Sequence, residues 1–550
     1  MGMRRALGVT ALIGLGLLPV ATASAEEVRQ PSGERQSIEE LRNTVINLLQ
    51  ALVDQGVISR EKAAQMVKAA QDKAAAEAAA QAAQAKAEEG AVRVPYVPQI
   101  VKDEIAKQVA EEVKPAVTQD VIQEAKTEKW GVPGALPDWL ARVHLYGEVT
   151  LREEGILYDP NNAHDQFFNY YGINTAGSIA KAGQNAFLED NEDRVRFRGR
   201  ARLGVDGALS DSVTAGMRLV TGNTSDLVSE TQTLDGSLPY QFGLDELFIR
   251  FDERDAQRFP YLTAVVGRFL NPYGTPTNLI FHRDLTFTGA AATFRVALGD
   301  VDPDQSHFFF TLGGHPLQEI QFSAQDKWLV AGEIGSYLHW DETQHLWLRG
   351  AFFDYFNVTG RINPPGSPGL YNYTAPQFVR YGNTMVDIAN GADPTTNLFA
   401  YASKFRLGNF NATYAVDIGR YQLSWTVDGV KNFGFNYQQI LNLTGTPPAS
   451  RTRDLGGQTE VAFGDPQVLK RGAWRALVGY RYLQGDAVMD AYTDSDFHYF
   501  GGTNARGYYF VVDYGLANGL WTRFRYLSAN EVDGPTYGIN TLQLDLWASF

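Results

Sequence analysis

The chain has 550 residues, a formal net charge of -15 at pH 7, 12% aromatic residues, 53 glycines and no cysteine. The acidic balance argues against nucleic acid as a partner, and the lack of cysteine excludes a fold held by disulfides. Beyond residue 25, no stretch approaches the roughly 18 consecutive apolar residues of a transmembrane helix.

The amino terminus has the pattern of a secretory signal. Two arginines precede a short apolar run over residues 6–20, and Ala-Ser-Ala follows at residues 23–25. A charged start, a short apolar segment and a small-x-small exit are typical of signal peptides. We therefore expect residues 1–25 to be removed by cleavage before Glu26, so that the mature chain is exported.

Residues 26–92 are predicted to be helical. Ser37 and Glu40 have the spacing of a capping box, and a second, alanine-rich helix runs from Ser59 to about Glu89. Apolar residues recur in the first helix as in a heptad stripe, at Ile38, Leu41, Val45, Leu48 and Leu52. Because alanine favours helix but offers little surface to bury, two interpretations stay open: a solvated helical spacer and an oligomeric coiled coil.

Residues 93–140 are predicted to hold another helix and a rigid junction. Pro95 and Pro98 interrupt the preceding helix. An apolar stripe at helical spacing follows, at Val101, Ile105, Val109, Val113 and Val117. The turn-forming sequence Trp-Gly-Val-Pro-Gly-Ala-Leu-Pro at residues 130–137 then ends the helical region.

Two sets of side chains alternate without a break in residues 193–206. One set is apolar or small, and the other consists of five arginines, Arg194, Arg196, Arg198, Arg200 and Arg202, which we name the arginine series. A period of two places successive side chains on opposite faces of a strand, whereas helical spacing would scatter the arginines around the circumference. A soluble sheet would bury the apolar face, and a membrane barrel would turn it to lipid.

The same alternation fills residues 141–550, in segments of about 10 to 14 residues, the length that a tilted strand needs to cross an outer membrane. Sixteen segments are predicted: 143–154, 193–206, 211–222, 240–251, 260–269, 286–299, 306–314, 328–339, 343–357, 398–417, 420–431, 455–464, 472–485, 506–517, 519–530 and 537–550. Short connections such as 207–210 alternate with long ones such as 155–192 and 358–397. Outer-membrane barrels have short periplasmic turns and long external loops. The pattern therefore predicts an all-β membrane protein, an antiparallel transmembrane β-barrel of about 16 strands behind the helical region.

The segment 398–417 has a second interpretation, because Gly408-Asn409 is also a hairpin-turn sequence. An extra strand there would break the alternation of connections, so 16 strands rather than 18 are predicted. An even count places both barrel ends on one side, as a periplasmic amino-terminal region requires. The last strand alternates leucines with polar residues and ends at Phe550, which resembles the signal that the barrel assembly machinery of Gram-negative bacteria reads.

Several motifs together resemble the putative porin family, Gram-negative outer-membrane proteins with an amino-terminal coiled-coil segment before the barrel. The likeness runs from about residue 37 to 550. It rests on the arginine series and on four further motifs, Val94–Pro98, Trp130–Pro137, Gly267–Tyr273 and Leu285–Gly289. The resemblance implies the fold and a general role in solute passage, and it supplies no binding residue.

About 16 strands make a barrel wide enough for an aqueous channel. The register predicts further pore-lining arginines besides the arginine series, namely Arg218, Arg268, Arg349, Arg475, Arg481, Arg523 and Arg525. Lumenal carboxylates are predicted at Glu148, Glu246, Asp428, Asp513 and Asp545. The wall therefore leans positive in an acidic protein, and we expect the excess acid in the loops and the amino-terminal region, as in residues 189–193 and 490–496.

Neighbours in the arginine series lie about 6.5–7 Å apart along a strand, less than the Debye length of roughly 8 Å at physiological salt. Their repulsion is offset either by carboxylates of the preceding strand, Glu148, Glu153 and Glu154, or by passing anions. The second interpretation makes the series a cationic rail that favours small anions or acidic solutes. The two interpretations do not exclude each other.

The third long connection, residues 270–285, is a candidate constriction loop with His282, Arg283 and Asp284 near its end. It either folds into the lumen, as in similar porins, or lies over the mouth. Deleting residues 274–280 should raise single-channel conductance if the loop folds inward.

Enzymatic and metal-dependent functions are disfavoured. The sequence has no Gly-x-Ser-x-Gly nucleophile elbow and no phosphate-binding Gly-x-x-x-x-Gly-Lys. His339 and His345 lack a metal-ligand spacing. A solvated acidic loop is favoured over a Ca2+ site at Asp490, Asp494 and Asp496. We predict no catalytic residue, no cofactor and no metal.

The predicted function is that of an outer-membrane porin, with passive diffusion of small hydrophilic solutes and a lean toward anions. Outer-membrane lipid surrounds the barrel, the helical region lies in the periplasm, and a homotrimer would resemble many porins. One alternative is a solute-specific channel, for example for sugars, with an aromatic track in the pore. Another is a plugged barrel that tethers the outer membrane to peptidoglycan. The last is a hydrolase, for which no nucleophile is found.

Overall fold

The computed structural model describes residues 64, 65, 68, 72, 73, 142–222, 226–228, 231–236, 239–299, 306–390, 395–498 and 501–550. The predicted signal peptide lies outside these residues. The predicted helical regions 26–92 and 93–140 also lie outside them, apart from five single positions that are helical. Within the described part of the chain, no helix has the length and hydropathy needed to cross a membrane.

The wall of the barrel is one closed antiparallel sheet, and the two-residue strand Gln232–Thr233 adds a short pairing with Arg198 and Gly199. Sixteen strands form it: β1 Val143–Tyr158, β2 Arg194–Ala208, β3 Val213–Thr221, β4 Phe242–Glu253, β5 Leu262–Leu270, β6 Thr286–Ala297, β7 His307–Gln318, β8 Lys327–Asp341, β9 Gln344–Phe356, β10 Arg406–Ile418, β11 Tyr421–Asn432, β12 Leu455–Gly464, β13 Trp474–Leu483, β14 Ala505–Ala517, β15 Leu520–Glu531 and β16 Gly538–Ser549. β1 closes on β16, from Glu148 opposite Ser549 to Tyr158 opposite Ile539. The predicted 16-stranded antiparallel barrel is confirmed.

Two kinds of connection join the strands at opposite ends of the barrel. One end has the short turns 209–212, 254–261, 298–306, 342–343, 419–420, 465–473 and 518–519. The other end has the loops L1 159–193, L2 222–241, L3 271–285, L4 319–326, L5 357–405, L6 433–454, L7 484–504 and L8 532–537. Both ends of the barrel chain meet at the short-turn end, where the Gly147 N–H donates to the Phe550 carbonyl at 3.0 Å.

The loops carry small elements of their own. L1 holds helices α1 Tyr170–Ala176 and α2 Ile179–Ala182 and a 3-10 turn, L6 holds helix α3 Tyr437–Thr444, and L5 holds a second 3-10 turn. The Asn169 side chain accepts from the Gly172 N–H and caps α1, which ends at Gly177 in the left-handed conformation. These elements cover the long-loop end of the barrel.

The predicted strand 398–417 is wrong as a single element. Phe399–Tyr401 pairs with Met385–Asp387 in a separate two-stranded sheet, and β10 begins only at Arg406. The chain turns inward between them, where Phe405 is fully buried. Gly408 lies inside β10 opposite Lys431, so it forms no hairpin turn. The alternation runs through both pieces because both are extended, although they belong to different sheets.

The two faces of the wall differ in polarity, as a period of two requires. On β1, Leu145 and Leu151 point outward with 60% and 49% of their surface exposed, whereas Arg152 and Glu154 point inward with 7% and 2%. The last strand repeats this pattern, with Leu544 outside and Asp545 inside. The barrel therefore has an apolar outer surface and a charged inner surface.

The main apolar core lies inside the barrel, where inward-folded loops meet the wall. L3 contributes Leu279, Ile280 and Phe281, each with at most 1% of its surface exposed. They pack with Val488 and Met489 of L7 and with wall and L5 residues, among them Phe287, Phe353, Leu329 and Phe405. This core fixes two loops at defined positions in the lumen.

Candidate functional site

The structure places the arginine series on the inner side of β2. Val195 and Phe197 point outward with 69% and 60% of their surface exposed. Arg198 and Arg200 point inward with only 9% and 5% of their surface exposed. Arg202 and the half-buried Arg196 share this inner face, and Arg194 lies exposed at the long-loop end of the strand.

Carboxylates of β1 meet most of the series. Glu154 accepts from Arg196 Nε at 2.5 Å and from Arg198 Nη1 at 3.2 Å. Glu148 accepts from Arg200 Nη2 at 2.7 Å. Glu153, also predicted to neutralise the series, is wrongly assigned, because it is exposed on the outer face opposite Phe197. Its odd position in a strand of period two prevents it from facing the lumen.

L3 adds a carboxylate from the opposite direction. Asp284 accepts from Arg200 Nη1 at 2.9 Å and from Arg202 Nη1 at 3.1 Å. Burial opposes ionisation of Asp284, but the attraction of Arg200 and Arg202 outweighs it and holds the pKa well below its usual value. The loop is also fixed across the lumen, where Thr277 Oγ1 donates to Asp428 at 2.6 Å. L3 thus crosses the interior instead of lying over the mouth.

L7 also folds into the barrel, and the sequence analysis did not identify it. The prediction of a solvated acidic loop is wrong, because only 1% of the surface of Asp490 and 4% of the surface of Asp494 are exposed. Asp494 accepts from Arg481 Nη2 at 3.1 Å, and Asp496 accepts from Arg152 Nη1 and Arg525 Nη1 at 2.9 and 2.8 Å. The available signal was charge complementarity between an acidic loop and a lumen rich in arginine.

L3 and L7 are joined directly by hydrogen bonds. The His282 N–H donates to the Tyr492 carbonyl at 2.7 Å, and Thr493 Oγ1 donates to the Leu279 carbonyl at 2.9 Å. Among L7 carboxylates, Asp496 has a pKa well below its usual range, because the attraction of Arg152 and Arg525 outweighs its burial. The two loops therefore form one inserted unit held by the arginines of the wall.

Of the other predicted wall arginines, Arg218, Arg349, Arg475 and Arg523 lie on the inner face, with different degrees of compensation. Arg268 does not, because it pairs with the outward-facing Leu247 and Thr288, while its neighbour Phe269 points inward. Arg218 bonds Asp245 and contacts Glu246, both at 2.5 Å, and Arg523 donates to Asp513 at 2.6 Å. The remaining arginines of this set have neutral partners: Arg268 with the Asp245 carbonyl, Arg349 with Asn411 and Arg475 with Ser424. The predicted carboxylates Glu148, Glu246, Asp428, Asp513 and Asp545 lie on the inner face as well.

Three cavities follow one another along the lumen. The outer cavity of about 360 Å³ adjoins Arg194, Arg196 and Arg198 at the long-loop end. The central cavity of about 310 Å³ shares Thr231, Ser495 and Asp496 with it. The inner cavity of about 420 Å³, toward the short turns, shares Pro276, Glu460, Arg475 and Leu477 with the central one. Shared lining residues show that these cavities adjoin one another inside the barrel, beside L3 and L7, and we name the three together the passage.

Charge is distributed unevenly in this passage. The central cavity is lined by seven arginines, Arg152, Arg200, Arg283, Arg475, Arg481, Arg523 and Arg525. Five carboxylates line it, Asp284, Glu460, Asp494, Asp496 and Asp513. An ion in the central cavity therefore meets more positively charged side chains than negatively charged ones.

The inner cavity has an aromatic wall. Tyr337 and Trp347 pack with ring centroids 4.3 Å apart, and His345 stacks on Tyr337 at 6.0 Å. His339 and His345, separated by six positions in sequence, face each other across β8 and β9 at 4.6 Å. The hairpin turn brings them together, so their sequence spacing was no guide to their distance. Even so, no group of three or more potential metal ligands occurs among the described residues.

Comparison with known proteins gives one family and several distant structures. The family model described as Putative porin matches residues 42–550, and no curated protein matches the chain. Similar solved structures include Pseudomonas putida OprB at high pH, with 11% identity, 77% of this chain and 97% of that chain covered, and a TM-score of 0.43. Salmonella typhi OmpF in complex with daunomycin has 10% identity, 74% and 97% coverage and a TM-score of 0.38. The outer membrane channel DcaP of Acinetobacter baumannii has 10% identity, 74% and 97% coverage and a TM-score of 0.37.

Proposed function

The chain belongs to the Putative porin family, and from that premise we propose that this outer-membrane porin lets small hydrophilic solutes diffuse passively and favours anions. The observation that carries the anion preference is the central cavity, with its seven arginines and five carboxylates. A cation-rich constriction with low-dielectric walls raises the local concentration of anions and lowers that of cations.

The inserted loops give this charge its effect. L3 and L7 narrow the passage where the arginines gather, so an ion crosses close to the charged groups instead of through bulk water. Interactions at short range are weakly screened at physiological salt, where the Debye length is about 8 Å. A wide barrel with the same wall and no inserted loops would discriminate less.

The test of this proposal is the reversal potential of the purified protein in planar bilayers under a KCl gradient. Wild type should prefer chloride. The triple variant Arg196→Ser, Arg198→Ser and Arg200→Ser should lower the chloride-to-potassium permeability ratio. It removes three positive charges from the inner wall and leaves Glu154 and Glu148 with more distant arginines, Arg152 at 3.9 Å and Arg202 at 3.8 Å.

A matched control removes three arginines from the exposed short turns, Arg254→Ser, Arg258→Ser and Arg420→Ser. It should leave the reversal potential near that of wild type. An unchanged potential in the lumenal triple variant, or an equal shift in the control, contradicts the proposed anion preference.

A second candidate function, a solute-specific channel for sugars, is favoured by the inner cavity. Tyr337 and Trp347 offer ring faces there, and Gln422 and Thr426 offer polar side chains nearby. Aromatic faces with adjacent hydrogen-bonding groups suit a sugar ring. Maltose should then reduce the current in a saturable manner, and Trp347→Ala should remove the block. Current that is independent of maltose rules this candidate out.

The proposal extends to assembly. The Phe550 ring covers Gly147 on the outer face and is 73% exposed, a position open to the barrel assembly machinery. We further propose signal cleavage before Glu26, a periplasmic helical region over residues 26–92 that is a solvated spacer or a partial coiled coil, and a homotrimer. Crosslinking of the purified protein, with and without residues 26–92, tests the trimer and the helical contribution to it. Cosedimentation with peptidoglycan, combined with negligible conductance, would instead favour the plugged tether.

A further inference from the structure

Three guanidinium groups from three separate elements gather at one indole ring. The Cζ atoms of Arg200 on β2, Arg283 on L3 and Arg523 on β15 lie 5.4, 5.9 and 5.7 Å from the ring centroid of Trp547 on β16. Trp547 has 7% of its surface exposed, and its ring stacks on that of Trp521. A ring face attracts each cation, but the three like charges repel one another, so the cluster needs negative charge beyond the indole.

The carboxylates of the protein supply that charge to only two of the three arginines. Arg200 has Glu148 and Asp284 within 2.9 Å, and Arg523 has Asp513 at 2.6 Å. Arg283 has no carboxylate within 4 Å among the described residues. Its chain neighbour Asp284 is directed instead to Arg200 and Arg202. Arg283 is therefore the guanidinium of this cluster that has no close ion pair among the described residues, and the attraction of Asp284 offsets only part of its charge.

Arg283 is also placed to meet a ligand. Its side chain is exposed within the barrel and lines the central cavity together with Arg200, Arg523 and Trp547. Enclosure by the barrel, followed by the repulsion of Arg523, lowers the pKa of Arg283 to about 10. The group stays charged at neutral pH. A planar guanidinium presents paired N–H donors that match two oxygens of a carboxylate or a phosphate.

We propose that Arg283, Arg523 and Arg200, gathered at Trp547, form a binding subsite for a small oxyanion, a carboxylate or a phosphate, in the central cavity. This inference rests on the proposed anion-favouring channel and adds to it a saturable site. An entering oxyanion supplies the negative charge that Arg283 does not receive from a close carboxylate. It also predicts that oxyanions dwell longer in the channel than chloride does.

The experiment uses chloride current through the full-length protein in planar bilayers at neutral pH. Inorganic phosphate and, separately, acetate are added in steps as probes. Either probe should reduce the current in a saturable manner in wild type, and the more effective one identifies the class of oxyanion. Arg283→Gln should raise the half-blocking concentration about tenfold, as expected for loss of a charge-assisted, two-pronged contact.

Two controls separate a site from a general field. Arg475→Gln removes the same charge from the same cavity outside the cluster, so it should lower the anion preference but change the half-blocking concentration by less than about twofold. Arg250 lies outside this cavity, and its Nε atom is 2.7 Å from an Asp252 carboxylate oxygen. Arg250→Gln should change neither the anion preference nor the half-blocking concentration. Heat-modifiable migration on gels confirms that each variant is a folded barrel.

The outcomes distinguish this inference from the proposed function. A wild type that conducts and prefers chloride but shows no saturable block overturns the subsite alone. Block that survives Arg283→Gln, or that is lost equally in Arg475→Gln, also overturns it. A wild type without conductance overturns the channel and the subsite together.

Discussion

The residue Asp284 gives the sharpest test of how the inserted loop sets ion preference. Asp284→Asn keeps the size of the side chain and removes one negative charge between Arg200 and Arg202, to which the carboxylate is bonded at 2.9 and 3.1 Å. Arg202 then keeps only the longer contacts with Asp245 at 3.7 Å and Glu148 at 3.8 Å among the ion pairs of the described residues. The central cavity loses one of its five carboxylates and keeps all seven arginines. The variant should therefore favour anions more strongly than wild type.

The size of the effect follows from Coulomb's law. A unit charge about 4 Å from a passing ion contributes about 1 kcal/mol at the dielectric of water. Removing it favours an anion and disfavours a cation, so the difference between them changes by about 2 kcal/mol before screening. Screening at physiological salt reduces this to about 1 kcal/mol, which corresponds to about a fivefold rise in the chloride-to-potassium permeability ratio.

The assay is the reversal potential under a KCl gradient, repeated at high ionic strength. At about 1 M salt the Debye length is about 3 Å, so the change should shrink to about twofold. Asp211→Asn, which removes the same charge from an exposed short turn, is the control and should have no measurable effect. A ratio that is unchanged or lower in Asp284→Asn, or a change that does not depend on salt, refutes the electrostatic reasoning.

Three further predictions concern the loops and the wall. Deleting residues 274–280 should raise single-channel conductance, because this part of L3 occupies the lumen and packs on L7; unchanged conductance would place the constriction elsewhere. Gly267→Ala should destabilise the folded barrel by about 1–3 kcal/mol in urea titrations, since φ is +121° and a Cβ would lie 2.1 Å from the Leu247 carbonyl oxygen; Gly350→Ala, whose Cβ would meet nothing closer than 4.0 Å, is the neutral control. Burial lowers the pKa of His498 in L7 to about 3, so the unfolded chain binds a proton that the folded barrel does not, and the free energy of unfolding decreases as the pH falls from about 6.5 toward 3. His498→Phe should make this decrease smaller in unfolding experiments between pH 7.5 and 4. An unchanged decrease would contradict this.

Much of the wall follows from a local rule that the sequence displays openly. Side chains two apart share a face, so Arg198 and Leu203 could be assigned to opposite faces without knowing their neighbours in space. The boundaries of the strands agree within a few residues for the same reason, except for the predicted strand 398–417, which begins eight residues too early. The rule also reaches Trp547, which has the same parity as Asp545 and lies inside with it. The sequence does not show which arginines surround that ring, because β2, L3 and β15 are far apart in the chain.

The positions of the loops could not be predicted in the same way. L3 and L7 have no repeating period, and their places depend on contacts with distant residues. Leu279 and Phe281 enter the barrel because it offers an apolar core, and Asp494 and Asp496 enter because Arg481 and Arg525 are there to bind them. Acidic residues in a long connection are usually solvated. Only knowledge of the inner surface would have reversed that expectation.

Strand parity and the contacts of the inserted loops determine different parts of the lumen. The wall fixes the positions of the arginines through strand parity, and a lumen filled with unpaired guanidiniums would repel itself and destabilise the barrel. Carboxylates of the wall, such as Glu148 and Glu154, and carboxylates of L3 and L7 relieve this repulsion together. None of those that the structure describes lies within 4 Å of the Arg283 guanidinium. Because a loop residue can change without shifting the register of any strand, we expect substitutions in the inserted loops to change the ion preference without disturbing the wall. Substitutions at Asp284 and Arg283 should then move selectivity in opposite directions while the barrel itself stays intact.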